Sequence, residues 1–228
     1  VSLLFVALWH VWPITSLILF LLISAFHFGE SQFADISFKN IFRYLFYFFW
    51  GLCLLSTLMF YNVSELFEIT SYFDDTIILD KIYNKGKIGI FFYVTNIVTI
   101  ISICALVFYD KINKDRLFSE LFLLFLIHVT FYLFPFIIGF TLYFVALHSL
   151  KVMNDEFKFL KSEEENFSIY KFLKLLAPYS MLSIFGTALL LALSYYSYIS
   201  YSIPFLAIII ISVITLPHAI VMNIFYNE

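Results

Sequence analysis

Charge is scarce in this chain. Only 13% of its 228 residues are charged, against 63% hydrophobic, and the mean hydropathy is +0.96. Such a composition describes an integral membrane protein. Short alternating apolar and polar segments, the mark of a membrane barrel strand, are missing, which leaves helices as the spanning structure. Cysteine is nearly absent, and Cys53 and Cys104 both lie within apolar runs. They read as small packing residues, with neither a disulfide framework nor a cysteine metal site. The start of the chain has no basic region and no small-residue cleavage site, which argues against a cleaved signal peptide. Internal repeats and low-complexity linkers are lacking too, so one integral membrane domain over 1–228 is the economical account. The net charge of −3 says little about partners, and nucleic acid is not expected among them.

What is present is a series of long apolar runs. A bilayer core needs about 20 mostly apolar residues per helix. The runs predict an all-α, polytopic transmembrane bundle with spans at about 13–33, 39–61, 86–110, 116–134, 136–160, 175–197 and 203–225, preceded by a helical stub over Val1–Trp12. Pro13, Pro135, Pro178 and Pro204 fall at or near the proposed starts, where a missing N–H costs least. The chain opens on Val and is apolar at once, so an earlier helix or part of one is expected to precede it. Residues 62–85 form a polar excursion expected to hold short interfacial helices, and 151–174 reads as a charged helix end followed by a solvated loop.

Lysine and arginine set the orientation. Under this span list Lys39, Arg43, Lys111, Lys114, Arg116, Lys151, Lys158, Lys161, Lys171 and Lys174 share one side, while Lys81, Lys85 and Lys87 face the other. The first side is therefore expected to be cytoplasmic, with 62–85 outside. Helix direction and rise then fix the depth of each histidine. His27, His148 and His218 come late in three inward-running helices, in the cytoplasmic half of the bilayer and about one to two turns from its surface. His10 and His128 fall toward the opposite side and read as hydrogen-bonding residues between helices.

Three imidazoles at one depth are what a metal site needs, although depth does not make them face one another. Ionisable groups within a membrane face a bundle interior or a cavity. Residues three or four apart share a helix face, which groups Ser24, His27 and Glu30; Thr215 stands one turn before His218, and Thr141 about two turns before His148. Ligating histidines commonly donate their second N–H to a hydroxyl, carboxylate or carbonyl, so Glu30, Ser24 and Thr215 are candidate partners. Glu30 can equally be a helix-end carboxylate in the headgroup region. Pro217, inside the last run, should free the carbonyl of Val213 and bend the helix. Imidazole ligands suit iron, copper or zinc. No catalytic side chain beyond these can be named.

The stretches HFGES (27–31), LHSLKVM (147–153) and LPHAIVM (216–222), in that order among the spans, resemble the Brp/Blh family of membrane β-carotene dioxygenases over nearly the whole chain. The resemblance implies a multi-helix membrane enzyme that uses O₂ and Fe(II) held by histidines to cleave β-carotene at its central double bond, giving retinal. By position, His27 matches the histidine of the family's histidine-phenylalanine-glycine signature and His148 that of its histidine-serine motif. His218 matches the C-terminal proline-histidine element. A bacterial cell membrane and hand-over of retinal to a rhodopsin are further implications.

Two departures qualify the match. The family's N-terminal histidine-glycine motif with its nearby aspartate is not found before His27, and Val152 stands where many members have a second histidine. Either His218 completes the coordination, or iron is bound differently, or the activity has drifted. A haem b carrier with two histidine ligands and a transporter using the histidines as proton relays are the alternatives. Paired-histidine boxes, typical of membrane desaturases and hydroxylases, are missing.

Overall fold

The structure, a computed structural model, describes residues 2–36, 41–70, 84–164, 166–196 and 203–227. The described residues form nine helices: α1 (Ser2–Val11), α2 (Pro13–Phe33), α3 (Ile41–Tyr61), α4 (Val63–Thr70), α5 (Lys85–Phe108), α6 (Lys114–Leu133), α7 (Phe136–Glu163), α8 (Ile169–Tyr195) and α9 (Ile203–Asn227). Seven of them, all except α1 and α4, are long and apolar enough to cross a membrane. The chain is an integral membrane protein. Within the polar excursion, α4 is a short helix; residues 71–83 lie outside the described residues, as do Lys39 and Lys81 of the charge count.

Most spans fall where the apolar runs predict. The exception is α8, which begins at Ile169 and not near 175, so Pro178 lies inside the helix instead of near its start. The cause is local: the Ser168 hydroxyl accepts from Lys171 N at 3.3 Å and nucleates the helix ahead of the apolar run. The loop before it is accordingly short, and Lys171 and Glu164 form an ion pair at 2.5 Å across it.

Helix α2 packs against α1, α3, α9 and the middle of α7. Its contact with α3 is the most extensive among the described helices and depends on two glycines. A Cβ on Gly29 would overlap the backbone carbonyl of Tyr47, and one on Gly51 would overlap that of Ala25. Each helix therefore presses its glycine against the other's backbone, as small residues allow in membranes. Beside this seam, Phe33 meets Phe46 and Trp50 at ring distances of 4.7 and 5.9 Å.

Buried polar groups tie the other contacts. Between α3 and α5, Ser56 Oγ and Thr95 Oγ1 are 2.6 Å apart, while Asn96 donates to Thr57 and accepts from Cys53. Cys104 is exposed on α5. At the end of α2, Arg116 of α6 donates to the Gln32 carbonyl at 3.0 Å and pairs with Glu120 at 2.7 Å. Glu120 also accepts both bonds of the Gln32 amide, at 3.0 and 2.9 Å. By contrast, α8 buries Phe172 alone among its described residues and leaves most of its remaining surface exposed.

Candidate metal centre

The three histidines expected at one depth also face one another. His27 comes from the last third of α2, His148 from α7 and His218 from α9, and one ring nitrogen of each lies within 4.8 Å of the others. The His27 ring is 5.1 Å from both the His148 and the His218 ring, nearly perpendicular to each. His27 and His148 are buried and His218 is half-buried.

Two local features place these rings. Residues Tyr143–Ser149 of α7 form a π-helix, so His148 sits in a widened turn where the direction of side chains slips relative to an α-helix. Pro217 immediately precedes His218 within α9, which continues past both to Asn227. The cluster is walled by aromatic rings: Phe28 lies 4.9 Å from His148, Phe144 5.4 Å and Tyr143 6.4 Å. His27 and His148 are left with almost no solvent exposure.

The hydrogen bonds of the rings test whether a metal fits. Neither nitrogen of His27, nor Nε2 of His148, has a hydrogen-bond partner among the described residues. Buried nitrogens are normally satisfied, and orphaned nitrogens on two of the three clustered rings fit an ion held by imidazole. His148 Nδ1 lies 3.2 Å from Ser31 Oγ, and that hydroxyl donates to the Phe28 carbonyl at 3.1 Å. A hydroxyl has one proton. With it directed at Phe28, the Ser31 oxygen accepts from His148 Nδ1–H, which leaves the Nε2 lone pair available to the cluster.

The residues singled out beside the histidines divide. Glu30 is buried within the bundle, where Asn223 of α9 donates to it at 2.6 Å. Thr215 is buried one turn before His218, and Ser24 is buried one turn before His27. Ser24 lines an apolar cavity of about 70 Å³ with Phe28, Leu58, Phe136 and Ile211, and Thr141 lies at its exposed edge. His128 stands apart, its Nδ1 2.8 Å from the Leu124 carbonyl and its ring against Tyr61 and Phe92. His10 is exposed on α1, and Val152 is buried one turn after His148.

Against this geometry stands one comparison. The family model described as beta-carotene 15,15'-dioxygenase matches residues 1–226. The chain belongs to that family. Membership supports β-carotene dioxygenase activity in general terms and implies a carotenoid substrate. No curated protein and no solved structure matches the chain.

Ser31, which meets His148, and Lys151, which meets Ser31, are not among the residues to which the sequence of this dioxygenase-family chain points. Ser31 lies four positions after His27 and so on its face, a signal that was present inside HFGES. Lys151, whose ammonium donates to the Ser31 carbonyl and pairs with Asp155 at 2.9 Å, counted only as a cytoplasmic charge.

Proposed function

We propose that the protein, as a single integral membrane domain, cleaves β-carotene at its central double bond with O₂ to give two molecules of retinal, using Fe(II) held by His27, His148 and His218. The observation that carries this reading is the convergence of the three imidazoles with unpartnered ring nitrogens in an aromatic enclosure. In this reaction the carbon–carbon double bond and the O–O bond break, and one oxygen atom enters each aldehyde. No outside reductant is needed. Iron held by histidines with open positions would supply the redox chemistry that activates O₂.

The protein's own residues do the rest. Ser31 holds His148 with Nε2 toward the cluster, and Phe28 and Tyr143 keep it dry. The cavity beginning at Ser24 and Phe28 offers an apolar bed to one arm of the polyene. At about 70 Å³ it is smaller than that arm, so its walls must part as the substrate enters from the lipid. The same geometry counts against the haem reading, because three imidazoles converge on one point where a haem takes two axial ligands on opposite faces. The lysine and arginine distribution supports a centre in the cytoplasmic half of the membrane, and the family resemblance supports a bacterial cell membrane, from which retinal can pass to a rhodopsin.

The test is expression of the full-length protein in bacteria that accumulate β-carotene, with pigment chromatography. Retinal should appear with the wild type and disappear with His27→Ala and His148→Ala, each still present in the membrane. Normal retinal production by both variants would sink the assignment.

A further inference from the structure

Most buried hydroxyls in this bundle share a habit. Ser16 donates to the Trp12 carbonyl at 2.9 Å, Ser56 and Thr57 to Cys53 at 3.0 and 2.7 Å, Thr70 to Leu66 at 2.7 Å and Ser212 to Ile209 at 2.7 Å. Each turns back onto its own helix, the usual resolution for a hydroxyl in an apolar setting. Ser24 does not. Its side chain is buried, and its Oγ has no hydrogen-bond partner among the described residues.

That hydroxyl lines the cavity between α2, α3, α7 and α9. Two other polar side chains reach the same space: Thr70, whose proton is committed to Leu66, and Thr141 at the exposed edge. Everything else around it is apolar. Ser24 lies three residues before His27, hence on the same face, while Leu17, also on the cavity wall, lies about 10 Å further along the axis by helical rise. Ser24 thus stands one helical turn from His27, and from it the apolar wall of α2 leads away from that histidine.

The ligand such a space selects is a long apolar chain ending in a hydrogen-bond acceptor. We infer that Ser24 donates its hydroxyl proton to the carbonyl oxygen of a retinoid aldehyde lodged in this cavity once its walls have parted, chain outward and oxygen toward His27. The inference rests on the proposed reading, since it identifies the ligand as the cleavage product. β-Carotene carries no oxygen, so Ser24 gives it no hydrogen bond. The residue distinguishes product from substrate and governs how long the aldehyde stays after cleavage.

The experiment uses the purified full-length protein in lipid nanodiscs, stripped of metal so that turnover does not intervene. Binding of all-trans-retinal, and of the corresponding polyene hydrocarbon without the carbonyl, is followed by quenching of tryptophan fluorescence. The carbonyl stretch of bound retinal is read by infrared difference spectroscopy. The wild type should bind retinal with its carbonyl stretch lowered by hydrogen bonding. Ser24→Ala should weaken retinal binding about tenfold, the worth of one hydrogen bond, and return the stretch to its value in an apolar solvent. Its affinity for the hydrocarbon should stay unchanged, which shows that the cavity survives. Ser24→Thr should keep both the affinity and the lowered stretch. Retinal binding that is tight and spectroscopically identical in the wild type and Ser24→Ala overturns the inference and leaves the carotenoid reading standing. A wild type that binds neither retinal nor the hydrocarbon overturns both.

Discussion

Ser31 and His148, 117 residues apart in sequence, meet through a 3.2 Å hydrogen bond at the contact of α2 and α7. Through it one helix sets the orientation of a ring carried by another, and the ring's other nitrogen is left without a hydrogen-bond partner. The support is of the kind that ligating histidines depend on.

Removing it gives the first prediction. Ser31→Ala should lower metal affinity about 10–100-fold, measured by titrating the stripped protein with Fe(II) or with Co(II) as a spectroscopic stand-in. Ser31→Thr keeps the hydroxyl and should retain most of the affinity.

Metal removal itself should be reversible. Dialysis against an iron chelator should abolish retinal formation while leaving the helical circular dichroism intact, and added Fe(II) should restore activity where Zn(II) does not. Restoration by Zn(II) would count against redox chemistry at the centre.

The closeness of α2 and α3 makes Gly29 intolerant of any side chain. Gly29→Ala should destabilise the protein by at least about 1–3 kcal/mol through overpacking against Tyr47, seen as a lower melting temperature in detergent. Gly186 on α8 has nothing within 4 Å of its would-be Cβ. Gly186→Ala should change stability by less than about 0.5 kcal/mol.

The clamp on the end of α2 offers a separate test. Glu120→Ala leaves the Gln32 amide and the Arg116 guanidinium without their shared acceptor and should cost about 1–3 kcal/mol. Glu120→Gln keeps an acceptor for Gln32 and should cost less in the same melting assay.

Filling the cavity should separate substrate binding from metal binding. Ala207→Phe projects a ring into the space lined by Phe20, Ile208 and Ile211. Retinal formation should fall at least about tenfold, a change of about 1.4 kcal/mol, with the iron content unchanged. Loss of iron together with activity would show that the cavity and the centre are not separable.

Much of this was legible in the sequence. Runs of apolar residues fix the spans because lipid tolerates few alternatives to a helix of bilayer length, and alternating helix direction converts the positions of His27, His148 and His218 into a common depth. What depth cannot convey is azimuth. Whether the three rings face inward depends on how α2, α7 and α9 rotate about their axes, and that is decided by contacts such as Gly29 on Tyr47. The Ser31–His148 bond was hidden for the same reason, since it joins residues whose helices meet only in the folded bundle. The early start of α8 escaped because a serine cap at Ser168 outweighs the boundary of hydrophobicity.

The widened turn at Tyr143–Ser149 carries one more consequence. Each residue added to a regular helix rotates everything after it by about 100°. A π turn absorbs part of such a rotation, so Phe136–Leu142 and Leu150–Glu163 need not share one angular frame although they belong to one rod. His148 stands where the two frames are spliced. Lengthening or shortening this stretch by a single residue would act on the histidine as a change of phase, swinging it away from the other two while the rod kept its place in the membrane.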